Sequence, residues 1–180
     1  MVNFDTRVCQ KSFVLSHCSE TIDKNEMCEW ISKEFNDPFD VVMEYLNTCS
    51  INWDLSVKAS DKDGKTIGYL TISDYHIEDE TETIKKENPS LLERLNSLKY
   101  ISGFSFIVAK EWRGTMVHKQ MLQFVLDDVK KYDFIFIPVR HELKTHNYWK
   151  RFGAIKFYED KESKFYAIPC NDKFMKAIGK

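Results

Sequence analysis

The stretch FSFIVAKEWRGTMVHKQML, from Phe104 to Leu122, predicts a buried strand, a turn at Arg113-Gly114 and the start of an amphipathic helix. The first N–H groups of a helix have no backbone partner, and the helix dipole places partial positive charge beside them. A strand that leads directly into a helix start is therefore a typical anion site. If the protein binds a phosphate-bearing ligand, we expect it at this turn.

The elements on either side of this stretch alternate between strand and helix patterns. Those before it are a strand over residues 7–15, a helix capped by Asp23 and Glu26, a helix starting at Asp37-Pro38, and a hairpin of residues 51–59 and 66–72. Those after it are a helix over 114–131, a continuously apolar strand over 133–139, a helix over 142–152, and strands over 154–159 and 163–169. This order predicts an α/β fold with a mixed sheet.

An acid-rich insertion separates the hairpin from the central strand over about residues 73–98. Its first part, residues 73–90, has few core residues, which favours a solvated loop, with a functional lid as the alternative. Asn88-Pro89 then opens a short helix that carries four leucines. Because the segment lies between the hairpin and the central strand, its acidic side chains could overhang a binding site.

Composition narrows the classes of protein. The net charge is -2, so nucleic-acid binding would need a local basic patch, and no apolar run reaches the length of a membrane span. The five cysteines form no CxxC pair, which favours free thiols in a reducing compartment over a disulfide or metal framework. With 180 residues and no linker, the chain is predicted to be one cytoplasmic domain over residues 1–180.

Three motifs carry a family resemblance. Val108 to His118 reads VAKEWRGTMVH, Trp149 to Ala154 reads WKRFGA, and the second hairpin strand contains Ile67-Gly68-Tyr69. With the order of elements, they resemble the GNAT acetyltransferase superfamily over about residues 7–169. The resemblance implies a mostly antiparallel sheet with a splayed central strand and flanking helices. It also implies acetyl-coenzyme A, or a related acyl-coenzyme A, as cofactor and an amine as acceptor.

The resemblance implies a cofactor site in two parts. Backbone groups of the central strand, at Phe106, Ile107 and Val108, would meet the pantetheine arm. The turn and first helical residues would hold the pyrophosphate: Arg113, Gly114, Thr115, Met116, Val117, His118 and Lys119. Met116 and His118 stand where the family prefers glycine, which lets the backbone approach phosphate closely. His118 could add a donor to the pyrophosphate, be merely tolerated, or block the site.

The predicted catalytic groups are Tyr148 and His76. Many family members protonate the departing thiolate with a tyrosine at the position of Trp149, and an indole N–H is not a practical acid. Tyr148 could replace it if the helix register shifts by one residue. The central strand from Tyr100 to Val108 carries no carboxylate base. His76, which has an ordinary pKa near 6.5, is therefore a candidate base, with Glu78 beside it.

Two interpretations follow from the resemblance. The first is an N-acetyltransferase with an amine acceptor, and the acidic insertion would favour a cationic amine such as a polyamine, a lysine side chain or an aminated small molecule. The second is a GNAT-fold binding or regulatory module without acetyl transfer, or a member with an unusual donor or acceptor such as a nucleobase. The sequence does not determine the acceptor, or whether the protein is a monomer or a homodimer.

Overall fold

One mixed sheet organises the protein. The computed structural model describes residues 12–143 and 145–180. The strands found in these ranges are β1 Phe13–His17, β2 Val57–Asp61, β3 Thr66–Ser73, β4 Tyr100–Val108, β5 Phe134–Arg140, β6 Ile155–Glu159 and β7 Ser163–Pro169. They form a seven-stranded sheet in the order β1-β2-β3-β4-β5-β7-β6. Neighbours are antiparallel except β4 and β5, which are parallel. The predicted fold class is confirmed.

Helices cover both faces of the sheet. They are α1 Glu20–Phe35, α2 Phe39–Thr48, α3 Ile77–Glu80, α4 Glu82–Glu87, α5 Pro89–Asn96, α6 Val117–Asp128, α7 His146–Arg151 and α8 Asp172–Ala177, with a 3-10 turn at Lys110–Trp112. Alternation along β5 separates the faces: Ile135 and Ile137 pack with α6, whereas Phe134 and Phe136 pack with α5 and α8. These four side chains are buried, as predicted for a strand covered on both faces. None of the described helices has the length and apolar composition needed to cross a bilayer.

The acidic insertion is folded, so its interpretation as a solvated loop is wrong. It forms α3, α4 and α5, and its side chains Ile77 and Ile84 are fully buried against the β5 and β7 side chains. Thr81 and Asn88 cap α4 and α5 by accepting hydrogen bonds from the N–H groups of Thr83 and Leu91. Two buried isoleucines are too few to produce a clear helical period, which is why the pattern was missed.

The start of α1 also differs from the prediction. Ser19, not Asp23, is the N-cap, and Asp23 lies inside the helix, where its carboxylate accepts the Ser19 N–H at 2.6 Å. Asp23 is 2% exposed and also binds Lys58 Nζ at 2.6 Å. Glu26 accepts the Tyr69 hydroxyl at 2.7 Å instead of completing a capping box. Partners on β2 and β3 therefore decide the roles of both carboxylates.

Other boundaries move by a few residues. The strand predicted over 51–59 begins only at Val57. Before it, Asn52 organises a turn by accepting a hydrogen bond from the Leu55 N–H. The strand predicted over 7–15 is found as Phe13–His17, and residues before 12, with Cys9, lie outside the described ranges. The cysteines inside those ranges, Cys18, Cys28, Cys49 and Cys170, are free thiols.

The two parallel strands separate after a short ladder. Within the described ranges, β4 and β5 pair with each other only where Tyr100–Ser102 meets Phe134–Phe136. Beyond this point β4 remains paired with β3 and β5 remains paired with β7. On its other edge β4 carries a bulge, because Thr71 pairs with Ser105 and Ile72 pairs with Gly103. A bulge bends its strand. β4 therefore stays on β3 and leaves β5, which opens a wedge in the centre of the sheet.

Gly68→Ala is expected to destabilise the protein by about 2 kcal/mol, the usual size of an overpacking penalty. An added Cβ would lie 2.8 Å from the Ile107 carbonyl oxygen on β4, and a paired backbone cannot move away easily. Gly103→Ala is the matched control, since its Cβ would come no closer than 3.8 Å to any described neighbour. Urea unfolding measures both variants, and equal midpoints would contradict the expectation.

Candidate functional site

The wedge between β4 and β5 contains a cavity of about 290 Å³. β4 contributes Gly103, Ser105 and Phe106, and β5 contributes Ile137 to Val139. Helices close it from both faces of the sheet: Glu34 and Phe35 from the α1 side, and His118, Tyr148 and Trp149 from the α6 and α7 side. The cavity thus connects the two faces through the sheet, and we call it the cleft.

The end of β4 directs peptide groups into the cleft. The Ala109 N–H donates to the Ile67 carbonyl, so Gly68 and Val108 form a non-hydrogen-bonded pair of the antiparallel ladder. By alternation, the peptide groups of Phe106 and Val108 face away from β3, toward the separated β5. Those of Ile107 face β3. Of the three predicted residues, Phe106 and Val108 therefore have peptide groups on the side away from β3, and Phe106 lines the cleft.

The predicted phosphate turn has the geometry of an open helix start. Gly114 has φ +80, and an added Cβ would meet no described atom within 4 Å. α6 begins at Val117, whose N–H is 3.3 Å from Thr115 Oγ1. The Gln120 N–H makes the first helical bond, to Met116. The N–H groups of His118 and Lys119 precede it, so they have no helical partner and are available to an anion.

The two side chains that replace glycine point in different directions. Met116 is 51% exposed, so its side chain lies mostly in solvent. His118 turns into the cleft, where its ring centroid lies 5.2 Å from that of Phe106 and 5.6 Å from that of Tyr148. Burial and the neighbouring Arg113 charge lower the pKa of His118. The imidazole is therefore neutral at pH 7 when no anion is bound.

Arg113 connects the turn before α6 to Glu34 of α1. Its Nε donates to the Val108 carbonyl at 2.8 Å, and its Nη2 lies 2.7 Å from both carboxylate oxygens of Glu34. Sequence reasoning missed Glu34, which lies 79 residues from Arg113 in the chain. A single glutamate near the end of an amphipathic helix carries no local signal, so tertiary structure was needed to find it.

Tyr148 and Trp149 both line the cleft, so Tyr148 reaches it without a register shift. The Tyr148 ring contacts Phe106, with centroids 6.1 Å apart. Its hydroxyl is buried and has no hydrogen-bond partner in the described part of the chain. Burial raises the pKa of Tyr148, so the phenol stays protonated at neutral pH. A buried hydroxyl without a partner, on a residue that lines a cavity, is suited to pair with a ligand that fills the cavity.

His76 lies at the other end of β4, beside Tyr100, whose hydroxyl is 3.5 Å from His76 Nδ1. Six residues of strand place Tyr100 roughly 20 Å from Phe106. His76, Asp74 and Glu78 line a separate opening there, and no described residue of the insertion lines the cleft. The structure does not bring His76 and Tyr148 together. The expectation that the acidic insertion overhangs the site is therefore wrong.

Neither a protein-family profile nor a curated protein sequence matches this chain. Solved structures do match its fold. YhbS from Escherichia coli, a GNAT-family N-acetyltransferase in complex with CoA, is 15% identical with a TM-score of 0.65, over 94% of this chain and 86% of that one. The E. coli ribosomal-protein-S18-alanine N-acetyltransferase is 11% identical with a TM-score of 0.58, over 89% and 95%.

A plant structure gives a similar result. Arabidopsis thaliana NAA60, in complex with a bisubstrate analogue, is 13% identical with a TM-score of 0.57, over 88% of this chain and 98% of that one. At such identities the likeness defines a fold. The protein has the GNAT fold, with a sheet split between β4 and β5 and a helix start at the end of β4.

Proposed function

We propose that the protein is an N-acyltransferase that moves an acetyl or related acyl group from acetyl-coenzyme A to an amine. The observation that carries the proposal is the cleft through the split sheet, lined by Tyr148, whose buried hydroxyl has no partner among the described residues. Because Tyr148 lines the cavity of about 290 Å³, a ligand that fills the cavity can satisfy this hydroxyl.

The residues present fit the cofactor in two places. The peptide groups of Phe106 and Val108 that face the cleft suit the amide groups of a pantetheine arm, although the Val108 carbonyl is already held by Arg113. At the turn, Gly114 leaves open space beside the N–H groups of His118 and Lys119, which suits a pyrophosphate. Thr115, Met116 and Val117 build the turn between these groups.

When bound, acetyl-coenzyme A would supply an activated acetyl thioester. In transfer, a nitrogen–carbon bond forms, the carbon–sulfur bond breaks, and the thiolate must gain a proton while the amine loses one. Tyr148 is suited to protonate the departing thiolate, because its phenol is protonated and its side chain lines the cleft. The amine would lose its proton to water inside the cleft, since His76 lies at the far end of β4.

A second reading is a GNAT-fold module that no longer transfers acetyl groups. It is favoured by the contacts of His118 with Phe106 and Tyr148, which narrow the cleft. Calorimetry with acetyl-coenzyme A, and with coenzyme A alone, separates the two. We expect micromolar affinity for both ligands. Absence of binding at millimolar ligand would overturn the acyltransferase proposal.

The affinity for coenzyme A should rise by up to about tenfold as pH falls from about 8 to about 6. His118 has a lowered pKa and is neutral in the free protein. A phosphate bound beside it would favour the imidazolium, so binding takes up a proton and strengthens as protons become available. Calorimetry across this range measures the slope. His118→Gln keeps the titration of the ligand phosphate, so equal slopes in both proteins would contradict the expectation.

A further inference from the structure

Among the described residues that line the cleft, Glu34 is the one that carries a carboxylate. It belongs to the last turn of α1, and its side chain is 34% exposed, so a ligand in the cleft can reach it. Arg113 contacts both of its oxygens through one nitrogen at 2.7 Å. A carboxylate has about four acceptor positions, so Glu34 can accept further donors beside Arg113.

The wall around Glu34 is apolar. Phe35 lies next to it in α1, Leu70 comes from β3, and Pro138 and Val139 come from β5. A single carboxylate in such a setting suits one ammonium group carried on an apolar body. A polyamine would bring further ammonium groups against this wall, and an unpaired charge in apolar surroundings is strongly unfavourable.

We propose that Glu34 binds the ammonium group of the acceptor, and that the acceptor is a primary amine on an apolar group. The bound ammonium must give one proton to water before its nitrogen attacks the thioester, because only the neutral amine has a free electron pair. The assignment rests on the proposed acyltransferase function and names the substrate class of the same cleft. It keeps a cationic acceptor, as predicted, but assigns its recognition to Glu34 and not to the acidic insertion, whose residues Asp74 and Glu78 line the other opening. Glu34 is thus a specificity-determining residue, and the amine to be acetylated lies against α1.

The test is acetylation of 2-phenylethylamine, with spermidine as the competing amine. We expect kcat/KM for 2-phenylethylamine to be at least about tenfold higher than kcat/KM for spermidine. Glu34→Gln should raise KM for 2-phenylethylamine by about tenfold or more, the usual effect of losing a charged hydrogen bond. Glu34→Asp should restore part of the loss. Glu29→Gln removes the same charge from an exposed position of α1 and should change nothing.

Calorimetry with acetyl-coenzyme A checks that each variant folds, because its Kd should stay within about threefold of the wild-type value. A peptide with N-terminal phenylalanine also carries a primary ammonium group on an apolar body. If the enzyme prefers this peptide to 2-phenylethylamine, the acceptor is a peptide N-terminus, and the role of Glu34 is still supported. Three results would overturn the assignment of Glu34 but leave the proposed acyltransferase function standing. They are a preference for spermidine, an unchanged KM in Glu34→Gln, and cofactor binding without acetylation of 2-phenylethylamine or the peptide. Absence of cofactor binding in the wild type would overturn the proposed function as well.

Discussion

Gly114→Glu is expected to lower the affinity for acetyl-coenzyme A by about 100-fold or more, because like charges brought together at a binding site cost several kcal/mol. Gly114 precedes the free N–H groups of α6, where the cofactor phosphates are proposed to bind. An added Cβ meets no described atom within 4 Å, so the cost to the fold is the backbone strain at φ +80. The new carboxylate would then oppose the phosphates directly. Calorimetry measures the change.

Gly64→Glu is the matched control for this variant. Gly64 has φ +81 against φ +80 at Gly114, and its Cβ would likewise meet open space in the described structure. Both substitutions therefore carry the same left-handed strain, about 1–2 kcal/mol, and the same charge. Gly64 lies in the β2–β3 turn, away from the cleft. We expect its Kd to equal that of the wild type, and an equal loss in the two variants would refute the phosphate assignment.

Tyr148→Phe is expected to lower kcat for acetyl transfer by about 100-fold or more, the usual contribution of a general acid. The substitution removes the hydroxyl of this cleft-lining residue and keeps the ring that contacts Phe106 and His118. The Kd for acetyl-coenzyme A should stay within about threefold. Steady-state kinetics with 2-phenylethylamine, or with the acceptor found by a mass-spectrometric screen, measures the loss.

Stability should not explain this loss. The Tyr148 hydroxyl is buried without a partner in the described chain, so its removal leaves no new unsatisfied group and should not weaken the fold. Tyr132→Phe is the control, because Tyr132 lines the opening at the other end of β4. It should keep the wild-type kcat. An unchanged kcat in Tyr148→Phe would mean that the thiolate takes its proton from another donor.

Much of the site was predictable because it depends on local geometry. A strand, a turn and a helix start follow one another between Phe104 and Leu122, so the helical N–H groups at the end of β4 could be located from the pattern. The family resemblance named Phe106, Ile107 and Val108 together, and only the β3 pairing showed that the peptide groups of Ile107 face β3. Tyr148 could be named as a candidate, but which of Tyr148 and Trp149 faces the cleft could not. In the structure both do.

The errors concern groups whose partners are distant in the chain. Asp23 was predicted to cap a helix, and Lys58 on β2 instead holds it inside α1. The acidic insertion was predicted to be a loop over the site. Its buried side chains Ile77 and Ile84 dock it against β5 and β7, away from the cleft. In both cases burial against another element overrode the local pattern.

By itself, the sequence determined the order of the strands, the α/β sheet and a helix start shortly after Gly114, because hydrophobic period and turn residues act over a few neighbouring positions. Only the tertiary structure decided where β4 leaves β5, which side chains line the wedge, and that Glu34 pairs with Arg113. These features arise when segments far apart in the chain meet. Such contacts depend on how whole faces pack, and no local spacing records them.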